Sequence, residues 1–143
     1  MSTKLIIITA DWTKHKSILR DIRKTVFIDE QSVPAELEWD EFDIDSTHFL
    51  VTADDEPVAT GRLKVDGQIG RMAVIKTHRR QGVGSRLLDY ILDHAKKCAL
   101  KKVYCHAQVP VIDFYLKKGF EVTGKEFLDA NIPHKTMFKK ICY

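Results

Sequence analysis

Between an apolar, strand-like run and a long amphipathic repeat lies the heptapeptide RRQGVGS, Arg79 to Ser85, whose residue types suit anion binding. Glycines at the mouth of a helix leave main-chain N–H groups unobstructed by any Cβ, and a helix start has no internal partners for those groups. With the positive end of the helix dipole behind them, they form a concave array that a phosphate fits. The same glycines would also serve a plain strand-to-helix turn, where they only satisfy backbone conformation. Spacing excludes two phosphate motifs. A P-loop needs a second glycine five residues past its first and Lys-Ser/Thr after that, but five residues past Gly82 stands Leu87, with Leu88 after it. A dinucleotide fingerprint needs a small residue three positions after Gly84 and a later acid, and the chain has Leu87 and Tyr104 there.

The elements around this loop are legible from periodicity. Leu5 to Thr9 reads as a strand, and Lys14 to about Glu30 as a helix with Ile18, Leu19, Ile22, Val26 and Phe27 on one face. Gln31 to Ser46, with Pro34 and an acidic run, has no clean period and is expected to be a loop or short irregular helix, the most mobile part of the chain. Phe49 to Ala53, Val58 to Val65 and Gln68 to Ile75 read as a three-strand meander, turning at Asp54 to Pro57 and at Asp66-Gly67. From Gly82, residues Val83, Leu87, Leu88, Ile91, Leu92, Ala95 and Ala99 trace one helical face that ends among lysines. Val103 to Ala107 is a strand, Pro110 to Lys118 a short helix, and Phe120 to Thr123 and Lys135 to Cys142 complete the strands.

Length and composition bound the function. The 143 residues suit a single domain spanning 1–143, with 44% hydrophobic and 30% charged residues and no repeat or linker. A net charge of +3 is too small to argue for nucleic acid, and an apolar run of only five residues near the start is too short for a signal or membrane segment. A cytoplasmic protein without nucleic-acid or membrane partners is expected. Charge is concentrated in two opposite patches: Glu36, Glu38, Asp40, Glu41, Asp43 and Asp45 in one, and Lys76, His78, Arg79, Arg80 and Arg86 in the other. Cys98, Cys105 and Cys142 lack metal-ligand spacing, so no metal and no disulfide framework is expected.

Arg79-x-x-Gly82-x-Gly84 resembles the signature with which GCN5-related N-acetyltransferases (GNAT) wrap the coenzyme A pyrophosphate. The strand MAV before it, the apolar helix after it and FYLKKGF at 114–120 match that family in order and distance. VFIDEQSVPAELEWDEFD, HAQ at 106–108 and GKEFLDANIPH at 124–134 are similar to its small bacterial ElaA/YjcF-like branch. The resemblance implies the acyl-CoA N-acyltransferase fold, α/β of the α+β kind. Such a fold has a mixed, mostly antiparallel sheet of six to seven strands, flanking helices and a V-shaped splay between the fourth and fifth strands.

The implied activity is direct attack of a primary amine, on a small molecule or a peptide, on acetyl-CoA. Met72, Ala73 and Val74 would bond the pantetheine arm, with the Val74 N–H toward the thioester oxygen. Arg79, Arg80, Gln81, Gly82, Val83, Gly84 and Ser85 would hold the diphosphate, and Tyr115 would contact the cofactor and act as general acid. An ammonium acceptor must lose a proton, and Glu30, Glu38, Asp40, His106 and His134 are the candidate bases. His106 alternates onto one face of a strand ending at the cleft, and the branch resemblance puts His134 in a loop at the substrate mouth. Many relatives carry Asn near the position of His106-Ala107-Gln108, so this chain departs from the wider pattern there. Cys105 as an acyl-carrying nucleophile is disfavoured, since neighbouring strand residues such as His106 point to the opposite face and no base is fixed beside the thiol. The acidic stretch is either a solvated loop or a negative rim that attracts cationic amines, and Trp39 within it could cover the acceptor or pack on the core. A coenzyme A-binding domain without turnover is the alternative. Oligomeric state is open, a homodimer being the common outcome for such domains.

Overall fold

The computed structural model describes residues 3–141. Strand β1 (Leu5–Ala10) leads to Asp11, whose carboxylate accepts from the N–H groups of Thr13 at 2.8 Å and Lys14 at 3.1 Å. This cap satisfies donors that a helix start leaves open, so helix α1 (Trp12–Arg23) begins two residues before the expected Lys14. The helix continues in a π-helical winding, Lys24–Glu30, of a kind frequent beside functional sites. After the single turn α2 (Ala35–Glu38), strands β2 (Thr47–Ala53), β3 (Glu56–Leu63) and β4 (Ile69–Val74) form an antiparallel sheet ordered β1-β2-β3-β4. Helix α3 (Val83–Lys97) crosses to β5 (Lys102–Gln108). Helix α4 (Ile112–Leu116) then precedes the hairpin of β6 (Glu121–Asp129) and β7 (Ile132–Lys140), in a second sheet ordered β5-β7-β6.

The first sheet is covered on both faces. Alternation along β2 sends Phe49, Val51 and Ala53 toward Leu87, Leu88, Ile91 and Ala95 of α3, and sends Leu50 toward Leu19 and Ile22 of α1 and Val26 of the π-helical winding. Each large aliphatic side chain buried this way contributes roughly 1.5–3 kcal/mol. Val103, Cys105, Ala107 and Met137 of the second sheet join the α3 core, which leaves its other face, with His106 and Gln108, partly open. Among the described residues a parallel bridge, Gln68–Tyr104, joins the two sheets, and there the Tyr104 N–H donates to the Gly67 carbonyl at 3.1 Å. Beyond it β4 and β5 part, giving the V-shaped splay of the fold.

Two local expectations change. GKEFLDANIPH is a hairpin rather than a loop: β6 runs to Asp129, and Ala130 and Asn131, at φ +51° and +63°, make the tight turn into β7. β6 is exposed along most of its length, so it carries no burial-driven alternation to read. His134 therefore sits on a strand, paired with Gln108 and Phe127. The strand end expected at Cys142 lies outside the described residues.

The acidic segment is also neither a free loop nor a simple negative rim. Arg23 donates to Glu38 Oε1 and Asp43 Oδ1, both at 2.8 Å, Arg62 to Asp40 at 2.7 Å and Asp43 at 3.0 Å, and Arg71 to Asp40 at 3.0 Å. Arg23, Arg62, Glu38 and Asp43 are all buried. Three arginines thus balance three of the six acids, and the segment is pinned beneath β3 and β4. Trp39 packs against the Arg20 guanidinium, 4.1 Å from its ring centre, on the helix α1 side.

Candidate active site

The loop after β4 is shaped by left-handed residues, Arg80 at φ +61° and Gly82 at φ +80°. The second conformation favours glycine strongly, because a Cβ there costs about 1–2 kcal/mol. Among the described residues, the N–H groups of 80 to 85 have no acceptor in the protein, and the first bonded amide is that of Arg86, to the Gly82 carbonyl at 3.0 Å. A Cβ at Gly82 would meet no atom within 4 Å, and one at Gly84 would meet Phe114 and Val74 no closer than 3.8 Å. The glycines are therefore not demanded by internal packing. They clear a cradle of main-chain donors at the start of a helix of 15 residues, which fits a diphosphate.

This cradle forms one end of a cavity of about 550 Å³ between Val26, Met72, Ala73, Val74, Phe114 and Tyr115. Arg79, Arg80, Gly82, Val83, Gly84 and Ser85 line it, whereas Gln81 turns its side-chain amide toward Thr77 instead. On β4, the Ile75 N–H bonds the Val58 carbonyl at 2.9 Å, so by antiparallel alternation the N–H and C=O of Val74 point away from β3, into the splay. The Val74 carbonyl is taken by Arg79 Nε at 2.8 Å, while Arg79 Nη2 reaches Glu30 at 2.8 Å. Glu30 thus lies beside the glycine loop and lines neither cavity. The Arg79 bond holds its carboxyl below the usual range, and the pairing in turn raises the Arg79 pKa.

A second cavity of about 210 Å³ lies across the splay, and Met72, Val111 and Tyr115 are common to both. Tyr115 is therefore the hinge of the site. Its ring meets Phe120 edge to face at 5.3 Å, and its hydroxyl points at the Met72 sulfur, 3.7 Å away. Burial pushes its pKa well up, so the phenol is fully protonated near neutrality.

His106 and His134 come together on the wall of this second cavity. His106 Nδ1 lies 3.0 Å from Thr136 Oγ1, and its ring meets Phe127 at 5.3 Å. Burial holds its pKa below the ordinary histidine value, against the opposing charge of Asp129, so it is neutral near pH 7. His134 Nδ1 is 2.6 Å from the Ile132 carbonyl, and the ring stacks on Phe127. Its Nδ1 is committed to the backbone. Glu38 lines the same cavity beneath Arg71, and burial raises its carboxyl, while Asp40, held low by Arg62 and Arg71 despite partial burial, is spent in the ion network. Cys105 faces the core, where burial pushes the thiol up to about 12, which removes it as a nucleophile.

Sequence reading missed several wall residues. Gln108 donates to Gln31 Oε1 at 2.9 Å and closes the floor between β5 and the π-helical segment. Arg71, Gln68 and Asp129 also line the cavity. A lone polar residue in an apolar strand was the available signal for Arg71. Among the described residues, no group of three or more His, Cys, Asp or Glu is arranged to hold a metal, and no helix is long and apolar enough to cross a membrane.

Two sheets parting at β4 and β5, over a glycine-cleared helix start, define an acyl-CoA N-acyltransferase. The chain belongs to the GNAT acetyltransferase family, whose domain model, described as acetyltransferase (GNAT) domain, matches residues 11–141. It is 38% identical over 133 residues to the uncharacterized N-acetyltransferase YjcF of Bacillus subtilis, covering 88% of this chain and 95% of that protein. The crystal structure of Escherichia coli ElaA superposes with a TM-score of 0.84 at 26% identity, over 95% of this chain and 99% of the other. An acyl-CoA N-acyltransferase from Pseudomonas aeruginosa gives 0.82 at 27% identity, over 96% and 99%.

Proposed function

We propose that this domain, spanning 1–143, transfers the acetyl group of acetyl-CoA directly to a primary amine held in the 210 Å³ cavity. The observation that carries the reading is the run of unpaired amides from residue 80 to 85, opening on a cavity that meets the second one at Tyr115. The loop amides and Arg80 hold the diphosphate. Arg79, tied to Glu30 and to the Val74 carbonyl, stiffens the end of β4. The Val74 N–H, directed into the splay, receives the oxygen on which charge develops, and one such donor is worth about 3 kcal/mol of barrier.

His106, neutral and oriented by Thr136, takes a proton from the acceptor's ammonium, directly or through a water, which frees the amine lone pair to attack; the nitrogen's second proton, shed as the tetrahedral intermediate collapses, goes through water to the departing thiolate. Tyr115 faces the departing sulfur. Full proton transfer from a buried phenol to a thiolate is uphill, so Tyr115 acts by hydrogen bonding to that sulfur and by fixing its place. The reaction needs orientation more than covalent chemistry, which two cavities joined at one residue supply.

The test is thiol release from acetyl-CoA with a panel of primary amines, paired with Tyr115→Phe. Turnover should fall at least about tenfold in the variant, with acetyl-CoA affinity within about twofold of the parent. An unaltered rate would reduce Tyr115 to packing. Saturable acetyl-CoA binding without turnover of any amine would make the chain a coenzyme A-binding domain instead.

A further inference from the structure

The wall of the smaller cavity holds an arginine that the ion network leaves only partly satisfied. In the β3–β4 ladder, Arg62 pairs with Gly70 and Thr60 with Ala73, so Arg71 and Met72 together oppose Gly61. This two-against-one bulge puts Arg71 at φ +50°, a conformation that costs a non-glycine residue about 1–2 kcal/mol. Its effect is to break alternation: Arg71 and Met72, neighbours that a regular strand would send to opposite faces, both line the same cavity.

Arg71 Nη2 is occupied by Asp40 Oδ2 at 3.0 Å, the Glu38 carbonyl at 3.2 Å and, more weakly, the Leu37 carbonyl at 3.4 Å. Nε lies 3.3 Å from Glu38 Oε1 but is misaligned, so this buried N–H is left without a hydrogen bond, and Nη1 makes none. Both of its carboxylates are shared, Glu38 with Arg23 and Asp40 with Arg62. Burial, with Arg62 and Arg23 close by, disfavours the Arg71 cation more than its two counterions favour it. An arginine cannot relieve this by losing its proton. A further anion can. Across the cavity the exposed charge is of the other sign, Asp129 at the end of β6, beside His106 and His134.

We infer that this cavity takes an amine carrying its own carboxylate, an amino acid or close analogue, with Arg71 receiving the carboxylate and the Asp129 side facing the ammonium. The inference rests on reading the cavity as the acceptor site. A polyamine or amino sugar would instead set a cation against Arg71, a mismatch that selects against it.

Calorimetry on the CoA-saturated full chain tests this, with leucine, phenylalanine and methionine each titrated against its decarboxylated amine. At least one amino acid should bind about tenfold or more tightly than its amine, since a site built to bond a group rejects the analogue lacking it. R71Q should erase that gap with CoA affinity unchanged, and R71K should keep part of it. Amines binding as tightly as the acids in every pair, a gap that survives R71Q, or no binding by any amino acid would overturn the inference. The wild-type pairs need no variant to fold. Thiol release in parallel samples started with acetyl-CoA reports separately on acetyl transfer: a gap without release keeps the carboxylate site and counts against acetyl transfer to these amino acids, and release without a gap does the reverse.

Discussion

The two halves of the site are made of different material. The side we propose for the cofactor is main chain: unpaired amides of residues 80 to 85, the outward Val74 N–H and an apolar wall. The side we propose for the acceptor is side chain: an ion network under Arg71 and Glu38, and imidazoles set by Thr136 and by the Ile132 carbonyl. Main-chain donors survive most substitutions and suit a ligand that never changes. Side chains can be exchanged one at a time and suit a ligand that differs between relatives. This is why the family is shown by the first half, while the acceptor must be argued from the second.

The comparison is broken most sharply at Gly84. A valine there adds methyl groups beside the cradle, while its Cβ itself meets the surrounding protein, Phe114 and Val74, no closer than 3.8 Å. Losing two charge-assisted bonds at about 1.5–3 kcal/mol each predicts a fall in acetyl-CoA affinity beyond 100-fold. Calorimetry should show this with the thermal midpoint nearly unchanged. Unchanged affinity would mean that the diphosphate does not lie on these amides.

The converse break is Arg23→Ala. Arg23 is 1% exposed and bonds Glu38 at two atoms and Asp43 at one, so the variant leaves two buried carboxylates short of a partner. Breaking a buried pair costs about 3–5 kcal/mol, within what a domain of this size can lose and remain folded. Urea unfolding should show that loss, while the protein still folded in water binds CoA as the parent does. A parallel fall in CoA affinity would show that the two halves are coupled.

The same division explains what could be read in advance. The glycine loop and α3 were legible because their signals are local: a positive-φ glycine, a helix start and a 3.6-residue repeat fall within one short stretch. The ion network was not, because Arg23 and Asp43 are 20 residues apart and Arg62 and Asp40 are 22 apart, and a carboxylate in an irregular segment carries no mark of its partner. The bulge at Arg71 was equally silent. Its positive φ belongs to a residue type that seldom adopts it, so the turn of that side chain into the cavity followed from the ladder register alone. Met72, Val74 and Tyr115 were assigned to the site through resemblance, and the pairing of Glu30 with Arg79 is visible only in the folded chain.

The finest test of the acceptor side is the pH dependence of His106. The burial that depresses its pKa acts with the nearby cation Lys64 and with His134, against the charges of Asp129 and Asp66. Its folded-state pKa therefore lies below the usual 6.5, so the neutral, proton-accepting form persists through pH 7 and is lost only as pH falls past that lowered value. The acceptor's own ionisation also shapes any rate profile, but it cancels in the ratio of wild-type to H106Q kcat/KM. That ratio should be about 100 and flat above pH 7, then decline below pH 6.5 toward a slope of one decade per unit. A ratio constant from pH 5 to 8 would assign the proton to another group. A decline that began above pH 7 would mean that the charge of Asp129 outweighs burial at this ring.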